Sequence, residues 1–102
     1  MKKTPLILLC LALGAGAAWA GPDEDMAKAG CVACHAKDKK LVGPSFKDIA
    51  AKYKGQDVVA KLKDKVRKGG AGVWGPIPMP AHPAEKIGDA ELGAAIQAIL
   101  KS

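Results

Sequence analysis

Residues 31–35 read CVACH, and the reading of these five positions decides how the rest of the chain is understood. On a helical turn, residues three and four apart share a face. Cys31 and Cys34 therefore point the same way, and His35 falls four positions after Cys31. Outside this stretch the chain has one further cysteine, Cys10, and one further histidine, His82. A structural zinc site takes a closed tetrahedral set of ligands, more than these residues supply. A thioredoxin-like redox pair sits near a βαβ pattern, and no period-2 strand pattern is visible. A bridge from Cys31 to Cys34 closes so small a loop that it barely stiffens the unfolded chain.

Two thiols at this spacing can add to the two vinyl groups along one haem edge, and the following imidazole is then delivered under the iron. The stretch reads as a covalent haem-attachment turn, with Cys31 and Cys34 as thioether residues and His35 as an axial ligand.

The N-terminus is consistent with that chemistry. Met1-Lys2-Lys3 is a positive start, residues 6–18 form an apolar run, and Ala18-Trp19-Ala20 has the small-x-small form of a signal-peptidase site. The expectation is a secretory signal over residues 1–20, cleaved before Gly21, and one domain over residues 21–102 in the periplasm of a Gram-negative bacterium. The apolar run is short for a membrane span of ~20 residues, so no stable membrane insertion is expected after cleavage. Cys10 lacks the small residues that precede a lipidated cysteine.

The full chain carries 16 basic and 10 acidic residues, a net +6; two lysines lie in the leader, which leaves +4. Residues 21–102 hold only three aromatic side chains, Phe46, Tyr53 and Trp74. A domain of this size buries only about 60–65% of its unfolded surface and often needs a staple. A flat, largely apolar cofactor suits that shortage.

Four short helices are predicted. Pro22 with Asp23, Glu24 and Asp25 opens the first, which runs to about Gly30. Ser45-Phe46-Lys47-Asp48 resembles a weak capping box and opens the second, ended by Gly55. Asp57 caps the third over residues 58–68, with Val58, Val59, Leu62 and Val66 inward and Lys61, Lys63, Asp64, Lys65 and Arg67 largely outward. Asp89 caps the fourth, which runs to Leu100 with Leu92, Ala95, Ile96 and Ile99 on one face. Between the last two, residues 69–83 hold four glycines and four prolines, which excludes a regular element.

That loop contains GVWGPIPMP, residues 72–80. Pro76, Pro78 and Pro80 each hold φ near about −65° and push the preceding residue toward extended geometry. Met79, clamped between two of them, loses little entropy in committing to one conformation. It is the candidate for the sixth iron position, because Met26 lies on the motif side of the haem. His82, three residues further on, reads as an exposed loop histidine, with competition for the iron as the sharper alternative.

CVACH, LVGPSFKDIAAKY (residues 41–53) and GVWGPIPMP together resemble the small bacterial class I cytochromes c of the c-551/c-552 group, over nearly all of residues 21–102. The resemblance implies an all-α class I cytochrome c fold, with about four short helices wrapped around one covalent haem c and the first and last helices crossing. It implies His35 and Met79 as axial ligands of the haem iron, the Pro44 carbonyl as acceptor for His35 Nδ1–H, and the Trp74 indole N–H as donor to a haem propionate. A basic side chain toward a propionate falls to Lys65, or to Arg67. The chain departs from its relatives at Met26 and Ala98, where they often carry aromatic residues, implying a less tightly filled helix crossing. His82 stands where relatives carry an amide.

An iron closed on both sides passes single electrons and transforms no substrate. The expected function is that of a monomeric, non-enzymatic one-electron carrier between an upstream donor and a terminal oxidase or nitrite reductase, as for relatives. A haem-based sensor or small-ligand binder with a labile Met79 is the other class. The abundant lysines suit an acidic protein partner; the exported location and lack of interleaved aromatics argue against nucleic acid.

Overall fold

A computed structural model describes residues 21–102. The expected signal, with Cys10 and its cleavage site, lies outside the described residues. Four α-helices occur in the described chain: α1 (Pro22–Lys28), α2 (Phe46–Lys52), α3 (Val59–Lys68) and α4 (Asp89–Leu100), with a single 3-10 turn at Cys31–Ala33. α1, α2 and α3 all pack against α4. The only β pairing among the described residues is two isolated bridges, His35 with Lys40 and Gly70 with Met79.

Local chemistry accounts for most helix ends. α1 begins at Pro22 with three acids in its first turn and Lys28 in its last, charges that complement the helix dipole. It stops earlier than the sequence suggests. Gly30 takes a left-handed conformation (φ 86°), so the attachment turn is a separate 3-10 element. α2 has the expected cap: Ser45 Oγ accepts from Asp48 N at 3.0 Å, a contact worth about 1 kcal/mol.

Two other caps are not where they were expected. α3 starts at Val59 after Val58, with no side-chain cap, so Asp57 does not serve. α4 is preceded by Gly88, and Asp89 is its first residue. Asp89 instead meets Lys63 Nζ at 2.7 Å and Arg67 at 3.8 Å across the α3–α4 packing. A carboxylate that a cation on another helix can reach is drawn away from its own backbone.

The core is Met26, Ala29, Phe46, Ile87, Leu92, Ala95 and Ile96. Met26 is only 3% exposed and Ala95 1%; both belong to the buried cluster shared by α1 and α4, and both also border the cavity described below. Ala98 is half-buried. No residue of α3 is fully buried. Its apolar stripe (Val59, Leu62 and Val66) packs against the core only in part, because Leu62 and Val66 also face the cavity described below.

Two surface assignments also change. His82 is 7% exposed, hence buried. Arg67 does not point outward: its side chain is 24% exposed, and it donates to the carbonyls of His82 (3.2 Å) and Ile87 (2.7 Å). A guanidinium can lay its stem on apolar surface while its planar head meets backbone oxygens. None of the described helices is long and apolar enough to cross a membrane.

Candidate functional site

The attachment turn is tied by backbone bonds from Cys34 N and His35 N to the Cys31 carbonyl, at 3.1 and 2.9 Å. Cys31 and Cys34 are joined in no disulfide and are both half-buried. Burial pushes the Cys31 thiol above its ordinary value; a hydrogen bond to its own backbone opposes this, and Cys34 adds to it.

His35 is held on three sides. Its Nδ1 lies 2.6 Å from the Pro44 carbonyl oxygen. A carbonyl only accepts, so Nδ1 carries the proton and Nε2 keeps its lone pair. The ring stacks on Phe46 at 5.5 Å between centroids and 22° between planes. On the third side lies Gly43, where a Cβ would fall 2.5 Å from Cε1, 2.9 Å from Nδ1 and 3.0 Å from Nε2. The segment carrying Gly43 and Pro44 is itself fixed by Gly43 N to Cys34 O at 2.8 Å and Phe46 N to Ala36 O at 2.9 Å.

Met79 is held by its backbone. Its N–H donates to the Gly70 carbonyl at 2.9 Å, and its carbonyl accepts from Gly70 N at 3.0 Å. Flanking Pro78 and Pro80 have no N–H to offer, so this reciprocal pair is the anchor of the proline-rich segment. A Cβ at Gly69 would collide with the Met79 carbonyl and come within 2.8 Å of Ala81 N. Further along, His82 N donates to Val66 O at 2.9 Å, and His82 Nδ1 lies 2.9 Å from Pro80 O. Trp74 is 41% exposed, with Lys52 Nζ 5.3 Å from its ring centroid, inside cation–π range.

Cys31, Cys34, His35, Pro44, Trp74 and Met79 all line one cavity of about 360 Å³. Leu62, Val66 and Ile96 supply part of its apolar wall, and Lys40, Lys61 and Lys65 also border it. His82 and Arg67 do not line it. The volume falls within the range of cofactor pockets, roughly 300–1,000 Å³. Two thiols, an imidazole with a fixed free lone pair and a thioether, set in apolar walls, fit a haem: attachment, iron ligation and burial of a flat ring each have their residues.

Sequence reasoning missed four residues of this site. Gly69 and Gly70 read only as part of the irregular glycine- and proline-rich stretch, and Gly43 was not singled out at all. The lysine over Trp74 had no local signal either, since Lys52 is far from Trp74 in the chain.

The protein-family model described as cytochrome c matches residues 24–100. The chain is 52% identical over 87 residues to cytochrome c-551 of Pseudomonas aeruginosa, covering 80% of this chain and 83% of that relative. It is 45% identical over 84 residues to cytochrome c2 of Rubrivivax gelatinosus, covering 81% and 99%. Among solved structures, that of wild-type Nitrosomonas europaea cytochrome c552 superposes with a TM-score of 0.69 at 42% identity, covering 78% of this chain and 96% of that one.

Proposed function

This chain belongs to the cytochrome c family, with one covalently bound haem c as its cofactor, and from that premise we propose that it is a periplasmic one-electron carrier with iron held between His35 and Met79. In this reading residues 1–20 direct export and residues 21–102 are the working protein. Cys31 and Cys34 form the two thioether bonds. When bound, the haem supplies an iron centre that gains and loses one electron.

The remaining work falls to the chain. The Pro44 carbonyl, by taking the Nδ1 proton, leaves Nε2 of His35 for the metal and fixes the ring plane. Gly70 holds the Met79 backbone through both of its hydrogen-bonding groups, so the weak thioether donor is kept in place. With His35 and Met79 both serving as ligands, the iron would offer no open position to oxygen or peroxide, and the protein would transform no substrate. Trp74 and Lys65 serve the propionates. Leu62, Val66 and Ile96 exclude water from the ring.

One observation carries the reading: the six residues singled out from the sequence, drawn from positions 31 to 79, border a single cavity. The alternative, a sensor with a labile methionine, is disfavoured by the paired backbone bonds at Met79. Lys40 and Lys61 border the cavity and form no ion pair among the described residues. They suit a transient acidic redox partner, such as a terminal oxidase or nitrite reductase, and an upstream donor, met by a monomer. The test is spectroscopic. The oxidised holoprotein is expected to show a methionine-to-iron charge-transfer band at neutral pH, and the reduced form to bind carbon monoxide slowly or not at all. Absence of the band with rapid carbon monoxide binding overturns the proposal in favour of the sensor.

A further inference from the structure

The segment that follows Met79 is irregular until α4 begins; Ile87 seats it in the core, and one side chain on α3 supplies the side-chain hydrogen bonds that tie it down. Arg67 Nη1 donates to the carbonyls of His82 at 3.2 Å and Ile87 at 2.7 Å. Those two residues bracket residues 83–86, and both are buried. The preceding residue of α3, Val66, accepts the His82 amide at 2.9 Å. His82 in turn reaches back through Nδ1 to the Pro80 carbonyl at 2.9 Å, one residue beyond Met79. Continuous polar contacts thus run from α3 through Arg67 and His82 to the backbone next to Met79.

We propose that Arg67 is the positioning residue that keeps the Met79 loop closed, by clipping both ends of residues 82–87 to α3. The proposal rests on the reading of Met79 as the iron ligand only for its functional consequence. Arg67 is not a partner for the haem: it does not border the cavity, and its fork is spent on backbone oxygens. Its other terminal nitrogen lies 3.8 Å from Asp89, which is more closely engaged by Lys63 at 2.7 Å. The position is defined by the carbonyl pair rather than by charge neutralisation. A planar guanidinium can serve two carbonyls from one nitrogen, whereas an ammonium is a compact point charge without that geometry. With the clip removed, the loop between α3 and α4 keeps only the Gly70–Met79 pair, the His82 amide on Val66 and the seating of Ile87 in the core, and both carbonyls that Arg67 held are left without it.

The test compares wild-type holoprotein with Arg67→Met, which keeps the apolar stem and removes the donors. Amide hydrogen exchange at Met79 and His82 is expected to accelerate about ten- to hundredfold, as loss of charge-assisted hydrogen bonds implies, while exchange at Ala95 and Ile96 in α4 stays as in wild type. On warming, the methionine-to-iron band of the variant should vanish at a lower temperature than its helical circular dichroism. Unchanged exchange at Met79 and His82 overturns the proposal; so does a band lost together with the helices, which would make Arg67 merely structural. Arg67→Lys should restore less than half of the protection; full restoration would assign the effect to the charge facing Asp89 and also overturn it. If Arg67→Met gives no holoprotein, Arg67→Gln carries the same comparison. The two readings separate cleanly. Accelerated exchange in a protein whose wild type lacks the band refutes Met79 ligation and supports the clip, whereas a normal band with unchanged exchange does the reverse.

Discussion

Replacing Gly69, which does not itself border the cavity, by alanine should release Met79. Gly69 ends α3 with φ 69° and ψ −160°, a region open essentially to glycine alone, where another residue costs about 1–3 kcal/mol. Sterics add to this. The new methyl would overlap the Met79 carbonyl and stand 2.8 Å from Ala81 N and 2.9 Å from Pro80 C. These are backbone atoms, which cannot rotate away, so overpacking contributes about 1–3 kcal/mol more. The sum, roughly 2–6 kcal/mol, rivals the stability of a small domain. It falls on the strand of loop that Gly70 pairs with Met79. Expected are loss of most of the methionine-to-iron band at room temperature and a fall in Tm of at least about 8 °C at 4–8 °C per kcal/mol. Gly55→Ala is the control: φ is 75°, but no atom lies within 4 Å of the added Cβ, so only the dihedral cost of about 1–2 kcal/mol remains and the band persists. A Gly69→Ala protein with an intact band and a Tm within about 2 °C of wild type would show that the close approach of this turn to Met79 is not what holds the loop.

Other outcomes follow from the same geometry. Met79→Ala should abolish the band, admit carbon monoxide and lower the reduction potential; an unaltered oxidised spectrum would refute the ligand assignment. Gly43→Ala should push the imidazole off Phe46 and break its bond to Pro44, at a cost of about 1–3 kcal/mol, read as a weakened His35 Nδ1–H signal by NMR. Lys63, by hydrogen bond and by charge, holds the Asp89 carboxyl below the usual carboxylate range, with Arg67 adding a little. The contribution of that pair is therefore complete above the ordinary aspartate pKa and is lost as pH falls through the lowered value. Asp89→Asn should flatten the acid limb of the stability profile and leave neutral pH less stable than wild type. Lys61→Glu should slow association with an acidic redox partner most at low ionic strength, because screening removes the effect as salt rises; a salt-independent change would count against steering.

What could be read along the chain were features whose cause spans a few residues. CVACH depends on one turn, the Ser45 cap on a partner three residues away, and the prolines around Met79 on the dihedrals they impose themselves. The inner face of α4 follows from helical spacing alone, and Leu92, Ala95 and Ile96 are buried as that spacing requires. The Pro44 partner of His35 came from family resemblance, since nothing in the spacing of positions 35 and 44 singles it out.

Tertiary structure decided the rest, because it chooses among partners that are distant in sequence and equivalent in chemistry. Asp57 and Asp89 look alike as helix caps, yet Asp89 turns to a lysine 26 positions earlier. Arg67 belongs to a row of basic residues on α3, but only its place on the helix meets two carbonyls 15 and 20 positions on. His82 is polar and loop-borne, and is nevertheless buried because Val66, Pro80 and Arg67 between them satisfy much of its polar surface. Gly43 and Gly69 matter through atoms that only the folded chain brings within 3 Å. Short-range geometry thus names the groups able to bind a haem, and long-range packing determines which of them are held still.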